Sequence, residues 1–319
     1  MEKLKVFEAF AGVGSQRMAL RNLGIPHEVV AISEIDKYAI QSYNAIHGET
    51  LNLGDISKID IDDIPNHDLF TYSFPCQDIS ITGLQKSLEQ GTNTRSSLLW
   101  ECKRIIETKK PKYLMLENVD NLISNKHLNY FLQWVSYLEK LGYNNYYKVL
   151  NSEHFGVPQC RKRVFMISIL QKSNKTNFEM PCGINNNLDF NLYLEKNVDA
   201  KYYRKLTRYE KYNDLKYNEK SILKYIDNKS NPTMKSTGLI YTLTASGRNC
   251  GSNQYIVHLG RVLTPKESWR LMGFTDEDFN KAKFSGISNT QLYKQAGNSI
   301  VVNVLEEIFK VLFKDCINN

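Results

Sequence analysis

The chain has 319 residues, 42% hydrophobic and 24% charged, with a net charge of +7; that is the profile of a globular protein with room for one large domain and a smaller one. No apolar run approaches the ~20 residues of a membrane span, and the opening Met1-Glu2-Lys3-Leu4-Lys5 runs straight into a strand pattern rather than a signal peptide. The six cysteines (Cys76, Cys102, Cys160, Cys182, Cys250 and Cys316) form no C-x-x-C pair, which argues against zinc and a disulfide framework and for a reduced, cytoplasmic setting.

In chain order, Lys3 to Phe10 reads as a buried strand, Ala11-Gly12-Val13-Gly14-Ser15 as a glycine turn, and Gln16 to Leu23 as a helix stopped by Gly24. His27 to Ser33 is a second strand closed by Glu34. Asp36 to His47 is a helix that opens on an acidic, cap-like residue. Asn52-Leu53-Gly54-Asp55 is a turn after a possible short strand, and Asp68 to Phe74 is a further strand. A helix over Arg95 to Thr108 and a strand over Lys112 to Leu116 follow, the strand ending in Glu117-Asn118. Leu128 to Leu141 is a helix stopped by Gly142; Tyr143 to Leu150 and Arg163 to Leu170 are strands. This alternation is that of a doubly wound sheet.

The alternation fails after Leu170. Residues 171–260 hold 14 Lys and Arg against 8 Asp and Glu, six of the seven net positive charges. From Lys201 to Lys229 the basic residues alternate with Tyr202, Tyr203, Tyr209, Tyr212, Tyr217 and Tyr225. Such a surface suits a phosphate backbone, and suits equally a solvated helix pair with half-buried tyrosines. A second, smaller domain is expected over 171–286. Gln295 to Phe313 then reads as a turn and a long amphipathic helix, with Val301, Val304, Leu305, Ile308 and Leu312 at helical spacing, returning to the first domain.

Four features carry chemistry. The run ending at Phe74 stops at Pro75, followed by Cys76 and a polar stretch through Gln77, Asp78, Ile79 and Ser80. A thiol is thereby placed at the carboxyl end of a strand, where open α/β sheets put their sites, and a thiolate is a strong nucleophile. Gly12 and Gly14 lie between a strand and a helix, with Glu34 20 residues after Gly14. Such glycines let a ligand approach the backbone, and the acid can accept from ribose hydroxyls. NAD fits this pattern too, but the third glycine of a dinucleotide turn is absent near Arg17; a nucleoside without a pyrophosphate fits better, with Asp55 able to accept from an adenine amine. Glu117 ends a buried strand, where an acid is costly unless paired or functional. In Gln159-Cys160-Arg161-Lys162-Arg163, strand alternation puts Gln159, Arg161 and Arg163 on one face, with the arginines able to hold Glu117 ionised or orient a substrate carbonyl.

These pieces, in this order, resemble the cytosine-C5 DNA methyltransferases. Phe10-Ala11-Gly12-Val13-Gly14 resembles their S-adenosylmethionine motif, Phe74-Pro75-Cys76-Gln77 their nucleophile motif, Glu117-Asn118-Val119 their glutamate motif, and Gln159-x-Arg161-x-Arg163 their Q-x-R-x-R motif. The stretch from Arg261 to Phe274 and that from Gln295 to Val302 resemble their last two motifs. The resemblance implies an α/β fold: a doubly wound mixed sheet in a Rossmann-like S-adenosylmethionine domain (1–170 and 287–319), with a target recognition domain over 171–286. It implies that Cys76 adds to C6 of cytosine, so that C5 becomes nucleophilic enough to take the methyl group. Glu117 would contact N3 and the exocyclic amine, and Arg163 the O2 carbonyl, with Arg161 in support. Pro75, Gln77, Ser80, Asn118 and Thr242 would face the substrate. The methyl donor would be held by Phe10, Gly12, Gly14, Glu34, Asp55, Ile56 and Asn298. The cytosine would be flipped out of the duplex at a cost of a few kcal/mol, under a loop from Asp78 to Thr94.

Ser15 stands where the family commonly has a second glycine, and Ser96 where it often has one. Two other readings are a tRNA-methylating branch, whose Cys-Phe-Thr signature is missing here, and a catalytically silent DNA-binding scaffold. The expected partner is double-stranded DNA with a short target, bound by a monomer, without a metal. The bacterial and phage restriction-modification enzymes are the members this chain looks like, so a restriction endonuclease acting on the same sequence is a possible partner.

Overall fold

A computed structural model describes residues 2–74, 98–171, 178–184, 188–203, 218–224, 233–245 and 254–317. Pro75, Cys76, Gln77, Ser80, the expected covering loop and most of the tyrosine-lysine stretch lie outside the described residues. By packing, the chain divides into two compact units: 1–150, 162–182 and 305–319 in the first, 151–161 and 183–304 in the second.

Among the described residues, the first unit is built on a six-stranded sheet. Its strands are β1 (Leu4–Ala9), β2 (His27–Ser33), β3 (Leu69–Tyr72), β4 (Tyr113–Val119), β5 (Tyr143–Asn151) and β7 (Lys162–Leu170), in the order β2-β1-β3-β4-β7-β5. The pairs β1–β2, β1–β3 and β3–β4 are parallel, and β4–β7 is antiparallel, which makes the sheet mixed, as expected. Alternation along each strand sorts the side chains by face. Phe7, Ala9, Phe70, Tyr72, Leu114 and Leu116 share one core with α3 (Leu98–Lys109) and α4 (Leu128–Lys140). Helix α4 buries Phe131, Trp134, Val135 and Leu138, the i, i+3, i+4, i+7 stripe of a helix seated on a sheet. Helices α1 (Ser15–Asn22) and α2 (Lys37–His47) follow β1 and β2. The Asp36 side chain caps α2 by accepting from the backbone N–H of Tyr38 and Ala39.

In the second unit, β6 (Gln159–Cys160) pairs in parallel with β10 (Ile240–Tyr241). A small antiparallel sheet is formed by β8 (Ile222–Lys224), β9 (Thr233–Lys235), β11 (Gln254–Ile256) and β12 (Arg261–Val262). Helices α5 (Pro265–Arg270), α6 (Asp276–Phe284) and α7 (Asn289–Asn298) follow. The Arg261 guanidinium is fully buried against both Glu267 carboxylate oxygens, at 2.9 and 2.7 Å; the same carboxylate closes a capping box with Thr264.

The packing units are drawn differently from the functional domains expected: residues 171–182 go with the first unit, and 151–161, where Gln159 and Arg161 are bonded to backbone, and 287–304 go with the second. Two expectations change. Gln295 to Phe313 is not a turn and one helix; Gln295 lies inside α7, and a second helix, α8 (Val302–Leu312), begins after a break. The break has a cause: Ser299 is extended, and the N–H of Val302 donates to the Met272 carbonyl. Finally, Gln159, Arg161 and Arg163 do not share one strand face. The strand is interrupted at Arg161, between β6 and β7, so alternation does not carry across it.

Candidate active site

Strand β3 runs toward Pro75 and Cys76, and β4 lies beside it in parallel with Tyr72 opposite Leu116. One residue further, Glu117 is 8% exposed, so its carboxylate has lost most of its water. A counter-charge comes from β7, where Val119 is opposite Arg163 and the Arg163 Nε lies 3.3 Å from Glu117 Oε1. The sheet register thus brings an acid and an arginine together at the end of the strand that leads to the thiol.

Asn118, expected to face the substrate, is bonded to the backbone on either side. Its Nδ2 donates to the Phe74 carbonyl at 3.1 Å, and its Oδ1 accepts from the N–H of Val119 at 2.9 Å. The side chain is 4% exposed. It ties the backbone two residues ahead of Cys76 to the strand that carries Glu117.

The glycine turn follows β1. Phe10 has φ 55°, a conformation that non-glycine residues seldom adopt and that tends to occur at functional sites. Its N–H donates to the Ser33 carbonyl at 2.8 Å. Gly12 has φ +57°, and a Cβ there would meet nothing within 4 Å, so the backbone borders open space. Gly14, the residue before α1, has φ +81° and offers no side chain to the helix's first amides. Those amides are suited to a carboxylate. Glu34 organises the same region: Oε2 accepts from the N–H of Gly12 at 2.9 Å, and Oε1 from the N–H of Ile35 and Asp36 at 2.9 and 2.8 Å. Three of a carboxylate's roughly four acceptor sites are used, leaving capacity for one more donor.

Asn52, read in the sequence only as part of a turn, clasps this edge. Its amide accepts from the N–H of Glu34 and Gly54 and donates to the Glu34 carbonyl. Asp55 accepts from the Ser57 N–H and hydroxyl, which hold its carboxyl below the usual range. The Ile56 side chain is in the core, so it presents backbone rather than side chain. Ile35, missed in the sequence, is 73% exposed immediately after Glu34. A large apolar side chain in water beside an acid expected to hold a ribose suits the face of a base. Its signal was available: an apolar residue just past the acid that ends a strand.

Described by itself, the second unit holds the remaining site residues. Gln159 is fully buried; its Oε1 accepts from the N–H of Leu243 and its Nε2 donates to the Leu271 carbonyl. The buried Arg161 donates to the carbonyls of Leu243 (2.8 Å), Gly297 (3.1 Å) and Ser299 (2.8 Å). The Thr242 hydroxyl donates to the Cys160 carbonyl. The Thr242-Leu243 pair is therefore fixed on both sides by the Gln and the first Arg of one short sequence. Gly297 is needed because the backbone of Thr244 and Ala245 lies where its Cβ would be. Asn298 ends α7 and is exposed. The Arg161 bonds to Leu243, Gly297 and Ser299 lie within this unit, and the Arg163 pair with Glu117 lies within the first.

A sequence profile for the C-5 cytosine-specific DNA methylases matches residues 4–314. The type II methyltransferase M2.ScrFI of Lactococcus lactis subsp. cremoris is 42% identical, over 98% of this chain and 99% of its own length. The orphan methyltransferase M.SPBetaI of Bacillus phage SPbeta is 31% identical, over 100% of this chain and 99% of its own. Among solved structures, the S. pombe Dnmt2 methyltransferase shares the fold with a TM-score of 0.71 at 20% identity, over 98% of this chain and 99% of its own. A putative DNA modification methyltransferase encoded within an E. coli prophage shares it with a TM-score of 0.70 at 19% identity, over 99% of this chain and 100% of its own. With its sheet, its Glu117–Arg163 pair and its glycine turn, the chain belongs to the C-5 cytosine-specific DNA methylase family and is a DNA (cytosine-5-)-methyltransferase.

Proposed function

We propose that this enzyme transfers a methyl group from S-adenosylmethionine to C5 of a flipped-out cytosine in a short double-stranded DNA target, through a covalent bond between Cys76 Sγ and C6. The observation that carries this reading is the buried Glu117, paired with Arg163, on the strand beside the one that leads to Cys76. The Gly12–Gly14 turn fits the methyl donor because it borders open space, leaves the first amides of α1 uncapped and has Glu34 at its edge. S-adenosylmethionine supplies an electrophilic methyl group on a sulfonium.

The chain's own residues do the rest. A free thiol with pKa ~8.5 is only a few per cent ionised at pH 7, so the site must favour the Cys76 thiolate. The thiolate adds to C6, and the ring's electrons move toward N3 and C5. Glu117 contacts N3 and the exocyclic amine, where this charge develops, and Arg163 contacts the O2 carbonyl while holding Glu117 in place. Once C5 has taken the methyl group, a base removes its proton, and the electron pair left behind re-forms the C5–C6 double bond as Cys76 leaves as a thiolate. Asn118 acts as a positioning residue through Phe74, and Arg161 as one through Thr242-Leu243. The basic stretch within 171–286 would bind the duplex. We also read the enzyme as a cytoplasmic monomer of a bacterial or phage restriction-modification type, with a restriction endonuclease as a possible partner. Among the described residues no helix is long and apolar enough to cross a membrane.

The test is Cys76→Ser. Methyl transfer should be lost while DNA binding, followed by fluorescence anisotropy on a plasmid digest, is retained. Retained methyl transfer would sink the covalent mechanism.

A further inference from the structure

The small antiparallel sheet of the second unit sorts its side chains by face. Leu223 and Met234, opposite each other on β8 and β9, pack with Tyr255 and Val262. The other face carries Lys224 and Lys235. Lys235 is opposite Ile222, so Lys224, two residues along β8, is its diagonal neighbour on the same side. Both ammonium groups converge on one ring: Lys224 Nζ lies 5.4 Å and Lys235 Nζ 4.6 Å from the centroid of Tyr241. The backbone that carries the ring is held from two sides. Tyr241 is paired with Cys160 across β10 and β6, and the fully buried Gln254 accepts from its N–H and donates to its carbonyl, each at 2.8 Å.

Among the described residues, neither lysine has a carboxylate within ion-pair distance. Lys235 Nζ instead donates to Cys160 Sγ at 2.9 Å, and the Cys160 thiol donates to Glu153 Oε2 at 3.2 Å. Burial pushes this thiol up, so it keeps its proton and remains the donor to Glu153. The sulfur is a neutral spacer: it orients the lysine without neutralising it, and sets the Glu153 carboxylate one bond further off. The carbonyl of the same cysteine accepts from the Thr242 hydroxyl, so the two cations stand beside the Thr242-Leu243 pair. Two cations over one ring repel each other, and an anion between them turns that repulsion into two charge-assisted hydrogen bonds.

We propose that Lys224 and Lys235, seated over Tyr241, form one phosphate-binding site that grips the backbone of duplex DNA. This rests on the reading of duplex DNA as the substrate. A phosphodiester has two free oxygens, one for each ammonium group, and the Tyr241 face and the Cys160 sulfur hold the side chains in place before it arrives. The site reads no base; it fixes the register of the backbone next to Thr242-Leu243. Each phosphate that a protein neutralises releases condensed counterions, so log K falls against log[salt] with a slope of about 0.9 per phosphate. Two cations that share one phosphate count as one such contact.

The experiment follows binding of the full chain to a fluorescent plasmid digest by anisotropy, from about 50 to 200 mM KCl. Four proteins are compared: wild type, Lys224→Gln with Lys235→Gln, Lys224→Arg with Lys235→Arg, and a control, Lys281→Gln with Lys310→Gln, whose lysines are already paired with Glu277 and Glu307. The first glutamine pair should bind several-fold more weakly at the lowest salt, with a slope shallower by about 0.9. The arginine pair and the control should keep the wild-type slope. If the glutamine pair melts well below wild type, Lys224→Gln alone, whose ammonium group meets only the ring, carries the test, again with weaker binding and a shallower slope. An unchanged slope would overturn the proposal. So would a slope shallower by about twice that amount, which means two separate contacts, or an equal loss in the control, which means net charge alone. An arginine pair as weak as the glutamine pair would assign the lysines a structural role and overturn it too, as would a preference for tRNA over the duplex. Absence of duplex binding by wild type at every salt concentration would overturn the DNA reading itself, and this inference with it.

Discussion

Replacing Arg161 by Ala should lower stability more than it alters any contact with a substrate. The guanidinium is 4% exposed and donates to three backbone carbonyls, those of Leu243, Gly297 and Ser299. Alanine would remove a charged donor from all three at once. A buried acceptor left without its partner costs about 1–3 kcal/mol, and such costs are not additive because a cavity of this size admits water. A loss of roughly 3–5 kcal/mol is expected, equivalent to roughly 10 °C in melting temperature for a unit of this size. Arg161→Lys keeps the charge but not the fork, and should recover only part of that loss. The comparison is Arg163→Ala, whose partner Glu117 lies 3.3 Å away at the edge of the site. That variant should lose methyl transfer and, because it leaves the largely buried Glu117 carboxylate without its counter-charge, melt below wild type as well. Differential scanning fluorimetry with a methylation assay on the same preparations reads both effects. If Arg161→Ala melted like wild type yet lost activity as Arg163→Ala does, the role of Arg161 as a backbone clamp would be refuted.

Other expectations follow from single residues. Gly14→Ala places a Cβ at φ +81° against His47 and Tyr43; strain and overpacking together should cost about 2–4 kcal/mol, read by urea denaturation, and weaken donor binding. Glu8→Gln should be more stable than wild type above pH 7. Glu8, on β1, is fully buried, and burial raises its carboxyl to about 7, above the ordinary value, so Glu8 contributes stability below pH ~4.5 and loses it as pH rises through 7. The advantage of the variant should therefore grow from near zero at pH 4.5 to roughly 3 kcal/mol at pH 8, measured as the difference in urea midpoints. A variant equally or less stable across that range would contradict the burial argument.

Much of the first unit was legible in the sequence because each element there has a strong local cause. The buried strand β4 opens with a continuous apolar run, Tyr113 to Leu116, and α4 carries its apolar stripe up to a glycine at 142. Glu117 was visible as an acid in such a run, and the sheet register then supplied its arginine. The second unit was less legible, since strands of two or three residues such as β6 and β8 are too short to show a period. The roles of Arg161 and Asn118 were hidden for another reason. Both are set by backbone carbonyls far away in the chain or on another strand, which no spacing encodes. The same holds for the break after Asn298, caused by a bond to the Met272 carbonyl. The two lysines over Tyr241 escaped notice because Lys224, Lys235 and the ring meet only on folding.

The central claim is cytosine-C5 methylation of DNA, and its most direct test is to methylate a mixed-sequence plasmid with labelled S-adenosylmethionine and then sequence it after bisulfite treatment. The account predicts label on the DNA and protected cytosines confined to one short motif, which would also name the target. Label on DNA without protected cytosines, or label on tRNA alone, would contradict it.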